Sequence, residues 1–169
     1  MKKKANPLAN QKNLKETFHH RNPMHKITKI ELDGNPGTGK TFKAEHLKIM
    51  FPECTIIDEG LYTAQVSDEN FISPADMENP DRLNAYTKAF RDSVIANADT
   101  LFLLLFCTTP KSKARLKERG DKEEDIPSTD DLFEYSKRFN FLYKITRDLP
   151  NVLAINTDHD IITDLVIHH

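Results

Sequence analysis

The stretch "IELDGNPGTGKTF", residues 30–42, decides the fold. Three of the chain's five glycines, Gly34, Gly37 and Gly39, fall inside it. An apolar run, "ITKIEL", leads into it and an amphipathic run, "FKAEHLKIMF", leads out. Gly34-Asn35-Pro36-Gly37-Thr38-Gly39-Lys40-Thr41 fits G-x-x-x-x-G-K-[ST], the phosphate-binding loop set between a strand and a helix. Without a Cβ, glycine takes left-handed dihedrals and lets backbone N–H groups approach a phosphate chain. The helix opening at about Gly39 adds further N–H groups and the positive end of its dipole. Lys40 is expected to face solvent and reach the β/γ-phosphates, and the Thr41 hydroxyl to hold Mg²⁺. The bland alternative is a strand–turn–helix corner that merely needs flexible residues. The flanking strand and helix favour a site for a nucleoside triphosphate.

Working outward, strands and helices alternate. "KITKIELD" (26–33) reads as a strand, and the helix after the loop runs to about Met50, stopped ahead of Pro52. "CTIIDEG" (54–60) is a short β-branched strand ending in acids, and residues 61–78 read as a long loop or broken helix. A helix then starts with Asn79 as cap and Pro80 at its first position. Leu83, Tyr86, Phe90, Val94 and Ala98 line one of its faces. "TLFLLLFC" (100–107) is continuously apolar, as a strand buried on both faces should be. "PKSKARLKERG" (110–120) is a short basic helix closed by Gly120. "STDDLFEYSKRFNFLYKITRDL" is a longer helix capped by Ser128 or Asp130, with Leu132, Tyr135, Phe139, Leu142 and Tyr143 inward. "NVLAINT" is the last strand and "DHDIITDLVIHH" a final helix. The alternation predicts an α/β fold of three layers, with a parallel sheet of four or five strands covered on both faces.

With 169 residues the chain suits one domain with a substantial core. Its 30% charged and 38% hydrophobic residues and net charge of −2 give no global pull toward nucleic acid or membrane. The longest apolar run, "LFLLLFC", has strand length and is too short to span a bilayer. The charge is uneven. Residues 1–25 hold six Lys/Arg against Glu16 alone, a net +5, while the rest holds −7. This segment lacks hydrophobic periodicity and reads as a flexible basic leader ahead of a domain over 26–169. A solvated extension is one reading of it and a nucleic-acid-contacting arm the other. Cys54 and Cys107 suggest buried small residues in a reduced, cytoplasmic protein, and no histidine spacing resembles a zinc site.

Two further constellations carry chemistry. Asp58 and Glu59 sit at the carboxyl end of a strand, where open α/β sheets bind ligands. One acid would hold the Mg²⁺ shell, a role assigned to Asp58 beside Thr41; the other would orient or deprotonate an accepting hydroxyl. Lys111, Arg115 and Arg119 fall at i, i+4 and i+8 on one helical face, suited to charge developing on a γ-phosphoryl group. The bland readings are two solvated acids and an ordinary basic surface helix.

The order of phosphate loop, strand-end acids, buried strand, "RLKERG" and "DIPSTDDLFEYSKRFNFLYK" resembles the thymidylate kinase and deoxynucleoside kinase group. The resemblance runs from residue 26 to about 165 and implies the phosphate-loop NTPase fold with a five-stranded parallel sheet. It implies that Gly34 to Thr41 bind ATP–Mg²⁺, that Glu59 or Asp58 lies near the accepting oxygen, and that Arg115 and Arg119 are lid arginines. The loop after "NVLAINTD", at Asn156, would border the adenine ring. Three departures accompany it. Phe42 replaces a second hydroxyl residue, Asp121 stands where a third lid arginine is common, and no separate strand carries an Asp-Arg-Tyr signature, of which "DEGLY" is at best a degenerate version.

The expected function is transfer of the γ-phosphoryl of ATP to a nucleotide or nucleoside, with a deoxynucleoside monophosphate or deoxynucleoside preferred. The acceptor would lie under residues 61–78 and the following helix. Arg82 and Arg91 are candidates for its phosphate, and Tyr62, Phe71 or Tyr86 for its base. Core packing is the bland reading for Tyr86, and a solvated face for both arginines. Alternatives are a kinase acting on a polynucleotide end or a modified base in DNA, a regulatory or assembly ATPase, and an NTP-binding module without turnover. A homodimer is left open.

Overall fold

A computed structural model describes residues 26–158 and the backbone of 165–166. The basic leader, residues 1–25, and most of the C-terminal segment lie outside the described residues. Strand β1 (Lys29–Gly34) is the centre of the architecture. It pairs in parallel with β2 (Thr55–Asp58) on one side and β3 (Thr100–Phe106) on the other. Strand β4 (Val152–Asn156) extends the parallel sheet beyond β3. The sheet is therefore α/β in type with four parallel strands in the order β2-β1-β3-β4, as the alternation predicts.

The final helix expected from "DHDIITDLVIHH" lies outside the described residues except at 158 and 165–166, and at 165–166 it is corrected. Leu165–Val166 form a short strand, β5, antiparallel to β4, with Ile155 opposite Leu165. Over so short an apolar run, periodicity cannot separate a strand from a helix face. The fifth strand is thus not parallel. Beyond β1 on the other side, β2 is the edge strand, and no further strand lies there among the described residues.

Side chains of β3 alternate between two cores. Leu101, Leu103 and Leu105 join Ile30 and Leu32 of β1 and Ala44 and Leu47 of helix α1 (Lys40–Met50). Phe102 and Leu104 point the other way. There they meet helix α2 (Leu61–Gln65), helix α4 (Pro80–Ala96) and helix α6 (Thr129–Thr146), through Tyr62, Phe90, Val94, Phe139 and Leu142. Helices thus cover both faces, and β3 is buried throughout except at Phe106. The segment 61–78, expected as a long loop or broken helix, resolves into α2 and a single turn, α3 (Pro74–Met77). The Asn79 side chain caps α4 by accepting from the N–H groups of Asp81 and Arg82, and Ser128 caps α6 by accepting from Asp131. Helix α4 stops before Ala98. The basic helix, α5 (Thr109–Glu118), follows β3 directly. Among the described residues no helix is long and apolar enough to cross a membrane.

Candidate functional site

The glycine-rich segment turns from β1 into α1 with Gly37 and Gly39 both left-handed, at φ 79° and 90°. A side chain at Gly37 would also collide with the Ser112 carbonyl of α5, so the loop and the basic helix touch backbone to backbone. Asn35 anchors the loop on its other side. Its Nδ2 donates to the Leu132 carbonyl at 2.8 Å and to Ser136 Oγ, both on α6. The Thr38 hydroxyl closes the turn on the Asn35 carbonyl at 2.7 Å.

Lys40 is the first residue of α1 and is 9% exposed, which corrects the expectation of a solvent-facing lysine. Its ammonium folds back over the loop, donating to the Gly34 carbonyl at 2.5 Å and lying 3.5 Å from a Glu59 carboxylate oxygen. The reason is electrostatic: a lysine stem lying along the loop finds a carbonyl and a carboxylate at its end, which together replace its hydration.

A cleft of about 410 Å³ opens at the carboxyl ends of β1 and β2. Gly37, Gly39, Lys40, Thr41, Asp58, Glu59, Arg115 and Arg119 all line it, together with Pro36, Phe42 and Leu116. It therefore draws together every residue expected to be catalytic. Glu59 leaves β2 with a left-handed backbone, φ 69°, uncommon for a residue with a side chain. Thr41 and Asp58, both lining the cleft, offer hard oxygen donors. No group of three or more His, Cys, Asp or Glu able to hold a metal exists among the described residues.

The two arginines differ. Arg115 is fixed: its guanidinium donates to Thr157 Oγ1 at 2.9 Å, to the Thr157 carbonyl, and at 3.4 Å to the Gly37 carbonyl. Arg119 is more exposed and forms a fork with Asp121, Nε to Oδ1 at 2.8 Å. This hydrogen bond raises the Arg119 pKa and holds the Asp121 carboxyl below the usual carboxylate range. Asp121 is thus the partner of Arg119.

The remaining candidates lie elsewhere. Tyr62 is fully buried, its hydroxyl sharing a 2.7 Å hydrogen bond with Thr146 Oγ1 and its ring edge-on to Phe90, so it packs the core and stacks on no acceptor. Burial pushes its phenol pKa far up. Arg91 clamps Asp148 through both terminal nitrogens and donates to the Ile145 carbonyl. Arg82 pairs with Asp76 between α3 and α4. Tyr86 is half-buried in an aromatic group with Phe71 and Phe141, its hydroxyl accepting from Gln65. Asn156 does not line the cleft; its Oδ1 accepts from the Asp158 N–H. That turn instead seats Thr157 beneath Arg115.

Glu31 and Asp33 were missed in the sequence. Both lie on the face of β1 opposite Ile30 and Leu32, in register with Phe102 and Leu104 of β3. Asp33 is completely buried, and Glu31 is half-buried. The signal was present: a central strand of a parallel sheet should be apolar on both faces, and "IELDG" alternates instead.

No family model matches the chain, and no curated protein matches its sequence.

Proposed function

We propose that the chain is a phosphate-loop kinase that moves the γ-phosphoryl of ATP to a nucleoside or nucleotide hydroxyl, a deoxynucleoside or its monophosphate being preferred. The observation that carries the reading is the cleft, which gathers the glycine-rich loop, Lys40, both strand-end acids and both arginines along one surface. Backbone N–H groups of the loop and the start of α1 would cradle the phosphates. Thr41 and Asp58 would hold Mg²⁺, which would supply positive charge to offset that of the phosphates.

In the transfer, the acceptor oxygen forms a bond to the γ-phosphorus as the bond to the β–γ bridging oxygen breaks. The acceptor proton passes to a cleft carboxylate, and ADP leaves. Lys40 would exchange the Gly34 carbonyl and Glu59 for phosphate oxygens. Arg115, already fixed between Thr157 and Gly37, would meet charge spreading over the γ-phosphoryl without first being ordered. The experiment is transfer from γ-labelled ATP to deoxynucleosides, deoxynucleoside monophosphates and a 5′-hydroxyl oligonucleotide. A labelled monomer supports the reading, a labelled oligonucleotide alone moves the acceptor to DNA, and labelled free phosphate alone makes the chain an ATPase.

A further inference from the structure

A carboxylate on the inner face of a central strand is costly unless something uses its oxygens. Asp33 Oδ1 accepts three hydrogen bonds, from the N–H groups of Gly60 and Thr63 at 2.9 and 3.0 Å and from Thr63 Oγ1 at 2.6 Å. Its Oδ2 is buried and has no hydrogen-bond partner among the described residues. Glu31 accepts from the Leu61 N–H at 3.0 Å, and its carboxylate fills the space a side chain at Gly60 would need. Burial, with Asp33 nearby, raises the Glu31 pKa. The two acids of β1 therefore grip the backbone of residues 60–63 from beneath. The residue immediately before this grip is Glu59, which is left-handed and donates its N–H to the Leu32 carbonyl of the same strand.

We infer that Asp33 and Glu31 are positioning residues, which hold the turn after β2 so that Glu59 projects its carboxylate into the cleft toward Lys40. The inference rests on the phosphoryl-transfer reading and sharpens it: Glu59 is the acid that this grip aims at Lys40. Capping of α2 alone would need an acceptor for its first N–H groups, not two carboxylates drawn from the phosphate-loop strand. A left-handed residue with a side chain is held against its own preference only when its surroundings over-determine it. The hydrogen bonds on either side of Glu59, to β1 through Leu32 and Asp33, are that over-determination.

The test combines Asp33→Ala, Asp33→Asn and Thr63→Val with Glu59→Gln, using γ-labelled ATP and the acceptor the wild type labels. Asp33→Ala should lower kcat on the order of 10²-fold through misplacement of Glu59, with KM for ATP moved by no more than about twofold. Asn at 33 keeps an oxygen for the same N–H groups and should recover most of the loss. Thr63→Val, which removes one bond of three, should lower kcat less than Asp33→Ala, and it reports on the clamp should Asp33→Ala fail to fold. In the Glu59→Gln background, the Asp33 and Thr63 changes should add nothing. Additive losses, or lower thermal stability with unchanged kcat per folded molecule, would overturn the inference. Should the wild type label none of the acceptors, the kinase reading fails separately, and the NMR backbone shifts of Glu59 decide. Loss of its left-handed signature in Asp33→Ala or Thr63→Val upholds the clamp, and unchanged shifts in both refute it.

Discussion

Gly37 carries two constraints at once, a left-handed backbone and direct contact with the Ser112 carbonyl. Alanine there meets both, so Gly37→Ala should cost at least about 1–2 kcal/mol of stability from the backbone alone, read by denaturant unfolding. Gly39, equally left-handed, has open space beside it, so Gly39→Ala should cost less. At Glu31 the expected sign is the reverse. Its raised pKa means that the folded protein binds the proton more tightly than the unfolded chain. Its contribution is present below the ordinary carboxylate pKa and is lost as pH rises through the raised one. Gln keeps an acceptor for Leu61 and drops the partly desolvated charge. Glu31→Gln should therefore be at least as stable as the wild type at neutral pH, with the difference closing on acidification. A variant less stable at neutral pH would contradict this.

Among the elements, α5 separates two arginines that the sequence treats alike. Arg115 reaches back to Thr157 at the end of β4, while Arg119 is engaged by Asp121 two residues on. Arg115→Ala should therefore lower turnover on the order of 10²–10³-fold, with a much smaller effect on ATP affinity. Arg119→Ala should do less, because the Asp121 carboxylate already neutralises the charge of its guanidinium. Steady-state kinetics beside calorimetric binding checks both, and equal small losses would return α5 to an ordinary basic surface. The elements themselves were largely legible. "TLFLLLFC" reads as a doubly buried strand, and Asn79-Pro80 and Ser128 begin helices as their chemistry requires. Three things were not. The edge strand β5 is set by pairing with β4, which local pattern does not encode. Lys40 is buried through tertiary partners, the Gly34 carbonyl and Glu59. Tyr62 and Arg91 look available in sequence only because Thr146 and Asp148, their partners, lie more than fifty residues away.

For the molecule as a whole, the glycine-rich loop is braced from three directions: by Asn35 to α6, by Gly37 to α5, and by β1 beneath. The far side is closed by Arg91, which ties α4 to Asp148 just after α6. That hydrogen bond holds Asp148 below the usual carboxylate range, so its contribution is present above the ordinary pKa and lost as pH falls through the lowered one. Because Asp148 is largely exposed, Asp148→Asn should cost no more than about 1 kcal/mol at neutral pH, and the gap in melting temperature should vanish in acid. Phosphoryl transfer in the cleft is tested by transfer of label from γ-labelled ATP to deoxynucleosides and their monophosphates, by the wild type and by Lys40→Ala of verified fold. A labelled nucleotide product is expected from the wild type, reduced on the order of 10²-fold or more in Lys40→Ala. Equal labelling by the two proteins, or no labelled nucleotide from the wild type, would contradict it.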